Sequence, residues 1–365
     1  MSLSGKRVGF ILASNSLTPL ASTRISVLNM LPFLKAKGYD PLIVFEPSTA
    51  TETPDLAGLT ETMAALDIDI AYFQKVHGVS VHQQLAACKL AGIKTIYGVC
   101  DRVDNDMVQA VDITIVVTEF LKQIHAIGIQ SRIRVVHDGI ERPELALKQY
   151  RLSTVTNARP RAAIVTSSAL TTIPVLKRWG QRYLDITVIG RYEEHSSLAQ
   201  TLRTRLRLTF ATSKWPDLAQ LLGYGFNAEP WHIERVYDYL LQTEIGIIPI
   251  DMRPDPLPGH DVSYWEVKSE NRLTLLMALG LPVIASPVPA YLNIIEQGVN
   301  GYLAHDRGDW IHAMLRLRDA EHRRTIGCAA RATVINRYSL QEQARKLISI
   351  LDELVQPKEK FSVLH

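Results

Sequence analysis

Short apolar runs alternate with amphipathic segments along most of the chain. Apolar runs bounded by glycine, proline and small polar residues are typical of strands buried in a parallel sheet. In the first part of the chain they predict strands at 6–13, 41–45, 67–74, 94–99, 112–118 and 134–141. In the second part they predict strands at 161–166, 185–190, 206–212, 244–250, 283–285 and 302–303.

The segments between these runs carry the spacing of amphipathic helices. One helical pattern spans residues 25–34 and contains Pro32, and a second spans residues 229–241. Another follows Arg272, with apolar residues three and four positions apart, and Gly280 marks its end. Residues 309–354 are predicted to be mainly helical. Alternation of strands and helices predicts an α/β fold with doubly wound parallel sheets.

The length of the chain fits two domains. It has 365 residues, of which 47% are hydrophobic, enough for two cores of ordinary size. Residues 146–160 belong to a charged and polar stretch without a sustained period, and we interpret them as a linker. The sequence therefore predicts one domain over residues 1–145 and a second over residues 161–337.

Charge, cysteine spacing and hydropathy argue against a nucleic-acid-binding protein, a cysteine-ligated metal site and a membrane-spanning helix. The net charge of +3 is a mild bias that permits an anionic ligand or an anionic membrane face. There is no basic run that indicates nucleic acid, and the three cysteines show no metal-ligand spacing. No apolar run approaches the roughly 20 residues that span a bilayer. We therefore expect a cytoplasmic protein, and peripheral membrane contact stays open.

Polar residues follow two of the predicted strands at the point where each strand ends. Lys75 and His77 follow the strand at 67–74, and Asp101 follows the strand at 94–99. Ligands of open parallel sheets bind outside the carboxyl ends of the strands, which makes these residues candidates for a substrate site. The alternatives are a surface histidine at His77 and a helix-capping aspartate at Asp101.

A polar cluster precedes the helix that follows Arg272. The cluster is K-S-E-N-R, from Lys268 to Arg272, and it comes after a predicted strand and a proline-rich loop. The free N–H groups of a helix N-terminus favour anions, and two cationic side chains add to that preference. The cluster could hold a phosphate group, or it could be a capped surface helix with solvated basic residues.

The segment K-S-E-N-R-L-T-L-L-M-A-L-G-L-P-V-I-A-S, which starts at Lys268, resembles the donor side of the family 4 glycosyltransferases. The sequence E-Q-G-V-N-G-Y-L, from Glu296 to Leu303, resembles the same family. The resemblance implies the GT-B fold, in which two doubly wound Rossmann-like domains face one another across a cleft. The segment R-Y-S-L-Q-E-Q-A-R-K-L-I-S-I-L resembles the closing helix of the family, which implies that residues 338–365 pack back on the first domain.

Family 4 enzymes move a sugar from a nucleotide-sugar donor to a glycan or lipid-linked acceptor, as in polysaccharide biosynthesis. The resemblance implies a retaining reaction with no required metal and no cofactor besides the donor substrate. Arg24 and Asp101 lie in segments that resemble the family's acceptor domain, and Lys75 and His77 follow a strand end; we expect His77 and Asp101 to be catalytic and Arg24 and Lys75 to bind the acceptor. The donor-binding residues that we expect are Lys268, Ser269, Asn271 and Arg272, with Ser167 and Arg191 in support.

Two positions depart from the family pattern. The family carries two glutamates eight residues apart, the second of which binds the donor ribose, whereas this chain has Val267 and Leu275 there. Hydroxyl-bearing residues from Ser167 onward also replace the usual arginine and lysine pair. Two alternatives to a transferase therefore stay open: a non-catalytic GT-B partner or binding subunit, and a sugar-nucleotide epimerase.

Overall fold

The chain forms two compact units. A computed structural model describes residues 6–142, 159–166, 178–190, 227–233 and 235–355. Unit 1 comprises the chain up to Glu141 together with the chain from Tyr338 onward, and unit 2 comprises Arg142–Arg337. Most of the predicted linker, residues 146–158, lies outside the described residues.

Unit 1 contains one parallel sheet of six strands in the order β2-β1-β3-β4-β5-β6. The strands are β1 (Arg7–Ile11), β2 (Asp40–Phe45), β3 (Ile70–Gln74), β4 (Lys94–Val99), β5 (Ile113–Val116) and β6 (Ile133–Val135). Each overlaps one of the apolar runs of the first part of the chain, so the prediction of these strands is confirmed. The last strand is shorter than its apolar run predicts, because β6 ends at Val135.

The first helical pattern of unit 1 is divided. Ala21–Thr23 is an α-helix, Arg24–Leu28 is a π-helix, and a separate α-helix runs from Leu31 to Ala36. Pro32 lies in the first turn of that separate helix, where a missing N–H group has no cost. The other helices of unit 1 are Leu59–Ala65, Val79–Ala91, Asn105–Ala110, Glu119–Gln123, the 3₁₀-helix Ile127–Arg132 and Leu340–Val355.

The helix Leu340–Val355 is part of the core of unit 1. Its residues Leu347 and Leu351 are buried in the same hydrophobic cluster as Val8 and Phe10 of β1. At the end of the helix, Tyr39 Oη donates to Asp352 Oδ1 at 2.5 Å. The sheet and this helix therefore share one core, although some 200 residues of unit 2 separate them in sequence.

The described residues of unit 2 also form a parallel sheet of six strands, in the order β12-β11-β10-β7-β8-β9. The strands are β7 (Arg161–Val165), β8 (Asp185–Gly190), β9 (Asn227–Pro230), β10 (Ile245–Ile248), β11 (Val283–Ala285) and β12 (Tyr302–Leu303). Counted from β7, the order is 3-2-1-4-5-6, the doubly wound order of nucleotide-binding Rossmann domains.

One prediction for unit 2 is wrong. The pattern of residues 229–241 predicts a single helix, but Asn227–Pro230 is strand β9 and the helix is Val236–Gln242. Strand β9 pairs with β8, and Trp231 N donates to Gly190 O at 2.7 Å. The strand predicted at 206–212 lies outside the described residues. The other helices among the described residues of unit 2 are Arg178–Gln181, Asn271–Ala278, Pro289–Leu292, Arg307–Arg316 and Ala320–Val334.

The helix Asn271–Ala278 packs closely on the sheet of unit 2. A Cβ added to Gly246 of β10 would lie 2.9 Å from Leu276 Cδ1, so any larger residue there would have to displace Leu276. Gly280, with φ +76°, follows the helix and ends it, as the sequence predicts. None of the helices in the described part of the chain has the length and apolar character needed to span a bilayer.

Gly98 of β4 provides a test of packing in unit 1. A Cβ at this position would lie 2.6 Å from Cε1 of Tyr72, a buried residue of the neighbouring strand β3. We expect Gly98→Ala to lower the free energy of unfolding by about 2 kcal/mol, the cost typical of overpacking a core. Urea unfolding followed by circular dichroism measures this change. Gly128→Ala is the control because a Cβ there meets no atom within 4 Å. Equal midpoints for the two variants would show that Tyr72 moves aside.

Candidate functional site

The carboxyl ends of β1 and β3 are joined by a buried polar network. Gln74, the last residue of β3, accepts hydrogen bonds from Ala13 N at 3.1 Å and from Thr23 Oγ1 at 3.0 Å. Ser14 Oγ lies 2.8 Å from Thr23 Oγ1. Strand order reverses between β1 and β3, and ligands of doubly wound sheets bind at such a point. Gln74 therefore fixes the shape of the sheet edge where a ligand is expected.

Lys75 follows Gln74 in the left-handed region, with φ +60°. Its N–H donates to Gly98 O at 2.8 Å, which continues the pairing of β3 with β4 for one more residue. The Lys75 side chain is only 11% exposed, and Nζ lies 2.9 Å from Asp101 Oδ1 and 2.9 Å from Glu52 Oε1. The structure thus brings together two of the predicted residues, Lys75 and Asp101.

Glu52 is the centre of this group of charges. Its carboxylate contacts Lys75, lies 3.1 Å from Arg102 Nη2 and lies 3.7 Å from His77 Nε2. Its carbonyl oxygen also accepts from His77 N at 2.7 Å. We call Glu52, Lys75, His77, Asp101 and Arg102 the Glu52 cluster. It gathers the segments that follow three strands, β2, β3 and β4.

Sequence reasoning missed two members of the Glu52 cluster. Arg102 could have been found from the sequence, because it follows Asp101 directly at a strand end. Glu52 could not have been, because it lies in a polar stretch, T-E-T-P, several residues beyond the end of β2. Only the folded loop brings its carboxylate over the ends of β3 and β4.

The environment fixes the charges of the Glu52 cluster. Burial alone would raise the pKa of Glu52, but the cations Lys75 and Arg102 outweigh burial and hold that pKa below its usual value. Burial opposes the charge of Lys75, but the nearby carboxylates, Asp101 and Glu52, raise its pKa. Burial first, and then Arg102, lowers the pKa of His77. At neutral pH His77 is therefore a neutral imidazole among two ion-paired cations and two carboxylates.

Arg24, predicted to bind an acceptor, lies on the π-helix Arg24–Leu28 and has a carboxylate partner. Its Nε lies 2.6 Å from Glu141 Oε1, and its Nη2 lies 3.0 Å from Glu141 Oε2. Asn29 Nδ2 donates to the same carboxylate at 3.1 Å. The partner of Arg24 is thus the last residue of unit 1 before the chain enters unit 2, rather than a member of the Glu52 cluster. Acceptor binding by Arg24 stays a prediction.

The predicted donor segment lies at the start of the eight-residue helix Asn271–Ala278. Lys268 and Ser269 precede the helix, Asn271 and Arg272 open it, and all four side chains are partly exposed. The helix follows β10, and in a doubly wound sheet such a helix begins at the carboxyl end of its strand. Ser167 and Arg191, the other two predicted donor residues, lie outside the described residues.

The two glutamates near the donor segment are Glu266, which is hydrogen-bonded to the preceding loop, and Glu270, which is buried. Glu266 Oε2 accepts from Ser263 N at 2.8 Å and so braces the preceding loop. Glu270 is only 2% exposed and lies near Tyr291. Burial raises the pKa of Tyr291 to about 12, with Arg272 lowering it and Glu270 raising it. Val267, at the first family glutamate position, is 1% exposed and part of the core.

The proline-rich loop before the donor segment is ordered by its own backbone. Pro256 and Ser263 form an antiparallel bridge, Leu257 N donates to Val262 O at 2.8 Å, and Tyr264 N donates to Asp255 O at 2.9 Å. Gly259, with φ +76°, lies in the turn between these segments. The loop therefore folds as a short hairpin that leads directly into Lys268.

No family model and no curated protein matches this sequence. Solved structures match the fold. A glycosyltransferase from Rickettsia africae ESF-5 is 14% identical with a TM-score of 0.66, over 96% of this chain and 99% of its own. Anabaena HepE in complex with UDP is 12% identical with a TM-score of 0.61, and the match covers 95% of this chain and 100% of HepE. Trehalose-6-phosphate synthase is 13% identical with a TM-score of 0.59, and the match covers 96% of this chain and 99% of the synthase.

These structures and the two sheets define the fold. The neighbours are GT-B glycosyltransferases, and at identities of 12–14% the likeness concerns the fold alone. The chain has the GT-B fold class that the sequence predicts, with one doubly wound α/β sheet in each unit.

The backbone of Lys75 gives a test of strain at the site. A residue with a Cβ is disfavoured in the left-handed region, whereas glycine is not. We expect Lys75→Gly to be more stable than Lys75→Ala by about 1 kcal/mol, because both lose Nζ and only alanine keeps the Cβ. Chemical denaturation of the two variants measures the difference. The control pair is Lys89→Gly and Lys89→Ala, within the helix Val79–Ala91, where alanine is expected to be the more stable. The same order in both pairs would contradict the strain at Lys75.

The Arg24–Glu141 ion pair gives a second test. The Arg24 side chain is 15% exposed, so its loss leaves a largely buried carboxylate without its cation. We expect Arg24→Ala to destabilise unit 1 by about 3 kcal/mol, the lower end for breaking a buried pair. A double-mutant cycle with Glu141→Gln should give a coupling energy of about 1 kcal/mol or more. Additive effects of the two substitutions would contradict a stabilising role for the pair.

Proposed function

We propose that this chain is a glycosyltransferase that takes a sugar from a nucleotide-sugar donor and transfers it to a hydroxyl group of a glycan or lipid-linked acceptor. The observation that carries the proposal is the placement of Lys268, Ser269 and Arg272 at a helix N-terminus in a GT-B chain. Family 4 chemistry, retention of configuration and independence of metal are part of the proposal. A cytoplasmic location and peripheral membrane contact stay predictions of the sequence.

The donor side supports the proposal through charge. Breaking the bond between a sugar and a nucleotide leaves negative charge on the diphosphate, and fixed positive groups that face this charge speed the reaction. Lys268 and Arg272 supply two cations, Ser269 a hydroxyl donor, and the first turn of the helix free N–H groups. In this mechanism Asn271 orients the donor within the same turn.

The acceptor side supports it through the Glu52 cluster. A neutral His77 can accept a proton from an acceptor hydroxyl, and burial together with Arg102 keeps it neutral. Asp101, held by Lys75 at 2.9 Å, is the second candidate base. Lys75 then serves both to bind the acceptor and to keep the Asp101 carboxylate in place. Because the cluster surrounds the carboxyl ends of β3 and β4, it lies where doubly wound domains bind ligands.

The structural neighbours support a UDP-linked donor and a retaining reaction. Anabaena HepE has been crystallised with UDP and with UDP-glucose, and the pneumococcal O-GlcNAc transferase GtfA with UDP and GlcNAc. Glycosyltransfer with retention is described for trehalose-6-phosphate synthase. We therefore name UDP-sugars as the first donors to examine.

A second candidate function is a non-catalytic GT-B partner subunit. Val267 in the core and Leu275 on the following helix favour it, because neither side chain can bind ribose hydroxyls as a glutamate does. A partner subunit would have no use for the cations of the donor segment. The response of those cations to a nucleotide therefore separates the two functions.

A thermal-shift titration with UDP, GDP and ADP tests the donor site. A nucleotide that binds only the folded chain raises the melting temperature by mass action. We expect UDP to raise it, and we expect Lys268→Ala and Arg272→Ala each to weaken binding by about tenfold or more, the loss of one charge-assisted contact.

Arg324→Ala is the matched control for that titration. Arg324 is an exposed cation of unit 2 that pairs with Glu321, so its loss should leave nucleotide affinity unchanged. No shift with any of the three nucleotides, in a protein that melts cooperatively, would favour the partner subunit. Equal losses of nucleotide affinity in all three variants would show that Lys268 and Arg272 do not belong to the donor site.

A further inference from the structure

The charges of the Glu52 cluster cancel because of Glu52. Lys75 and Arg102 contribute two positive charges, and Glu52 and Asp101 contribute two negative charges. His77 is neutral at neutral pH. Without Glu52, two cations would face one carboxylate, and the cluster would be an anion site. Glu52 contacts both cations, so it screens both of them from an incoming ligand.

A small cavity adjoins the cluster at Lys75. Lys75 lines this cavity together with five other polar residues, Ser22, Ser26, Tyr72, Gln74 and His137. Among the described residues that line it, Lys75 is the only lysine or arginine and no aspartate or glutamate takes part. The charge of Lys75 is already taken up by two carboxylates, so the one lysine of this lining is not an unpaired cation that would attract an anionic ligand.

The same groups suit the hydroxyl groups of a neutral sugar. A carboxylate offers about four acceptor positions, and an ammonium group offers three donors. Ion pairing holds these donors and acceptors side by side on rigid strand ends, and neighbouring hydroxyls of a sugar ring need both kinds of partner. An ordered array of this kind loses little conformational freedom when the ligand binds.

We propose that Glu52 is a specificity-determining residue. Because of Glu52, the site formed by the Glu52 cluster selects neutral saccharide acceptors and rejects phosphorylated or carboxylated ones. This inference rests on the proposed function, because it assigns the acceptor class of the same enzyme. An anionic acceptor would have to separate Glu52 from Lys75 and Arg102, or lie beside an unscreened carboxylate.

The test compares neutral hexoses with the matching hexose 6-phosphates on the full chain. Binding is measured by ligand-observed NMR titration, and the quantity of interest is the ratio of the two dissociation constants. We expect the unmodified chain to bind a neutral hexose more tightly than its 6-phosphate. Glu52→Gln should shift the ratio toward the phosphate by about tenfold, because it leaves one cation unscreened.

Three further variants separate charge from shape and folding. Glu52→Asp keeps the charge and should keep the ratio of the unmodified chain. Glu61→Gln, on the exposed face of a nearby helix, is the matched control and should change nothing. Arg102→Gln removes a cation without touching Glu52 and should shift the ratio away from the phosphate, which keeps the inference testable if Glu52→Gln does not fold.

Several outcomes would overturn the inference. These are tighter binding of the 6-phosphate by the unmodified chain, equal ratios for Glu52→Gln and Glu61→Gln, or no binding of any hexose. The nucleotide titration of the donor site is independent of this experiment. Nucleotide binding without hexose binding would refute the proposed acceptor class but not the transferase. Hexose binding without nucleotide binding would refute the transferase.

Discussion

The ion pairs of Lys75 hold the candidate site together. Its ammonium group is largely buried, and a buried charge without partners would cost several kcal/mol. Glu52 and Asp101 therefore both have to lie within reach, which fixes the loops that follow β2 and β4 against the end of β3. The strained backbone of Lys75 is tolerated because its N–H still pairs with β4. One side chain thus determines the arrangement of three loops.

The sequence predicts the sheets well because both are parallel. Strands buried on both faces are continuous apolar runs, and such runs mark β1, β3 and β4 clearly. The rule that ligands bind beyond strand ends singles out Lys75, His77 and Asp101 from the order of the apolar runs alone. These three residues do meet in the Glu52 cluster, although their chemical roles stay predictions.

What the sequence could not predict depends on tertiary contacts. Glu52 reaches the cluster only because its loop folds over the sheet, and Gln74 matters only because β1 lies next to β3. Strand β9 resembles the start of a helix in sequence since it is short and polar, and the proline at its end also suits the first turn of a helix. Glu141, the partner of Arg24, is more than 100 residues away in sequence, so no local pattern could connect the two.

The division of unit 1 between two stretches of chain has a consequence for biosynthesis. The ribosome completes all of unit 2 before it makes the helix Leu340–Val355, yet Leu347 and Leu351 belong to the core around β1. The described sheet of unit 2 is built from strands of unit 2 alone. The sheet of unit 1, although made first, must wait with part of its apolar face uncovered. During synthesis unit 1 therefore exposes apolar surface until its last helix has been made, and exposed apolar surface is what chaperones recognise.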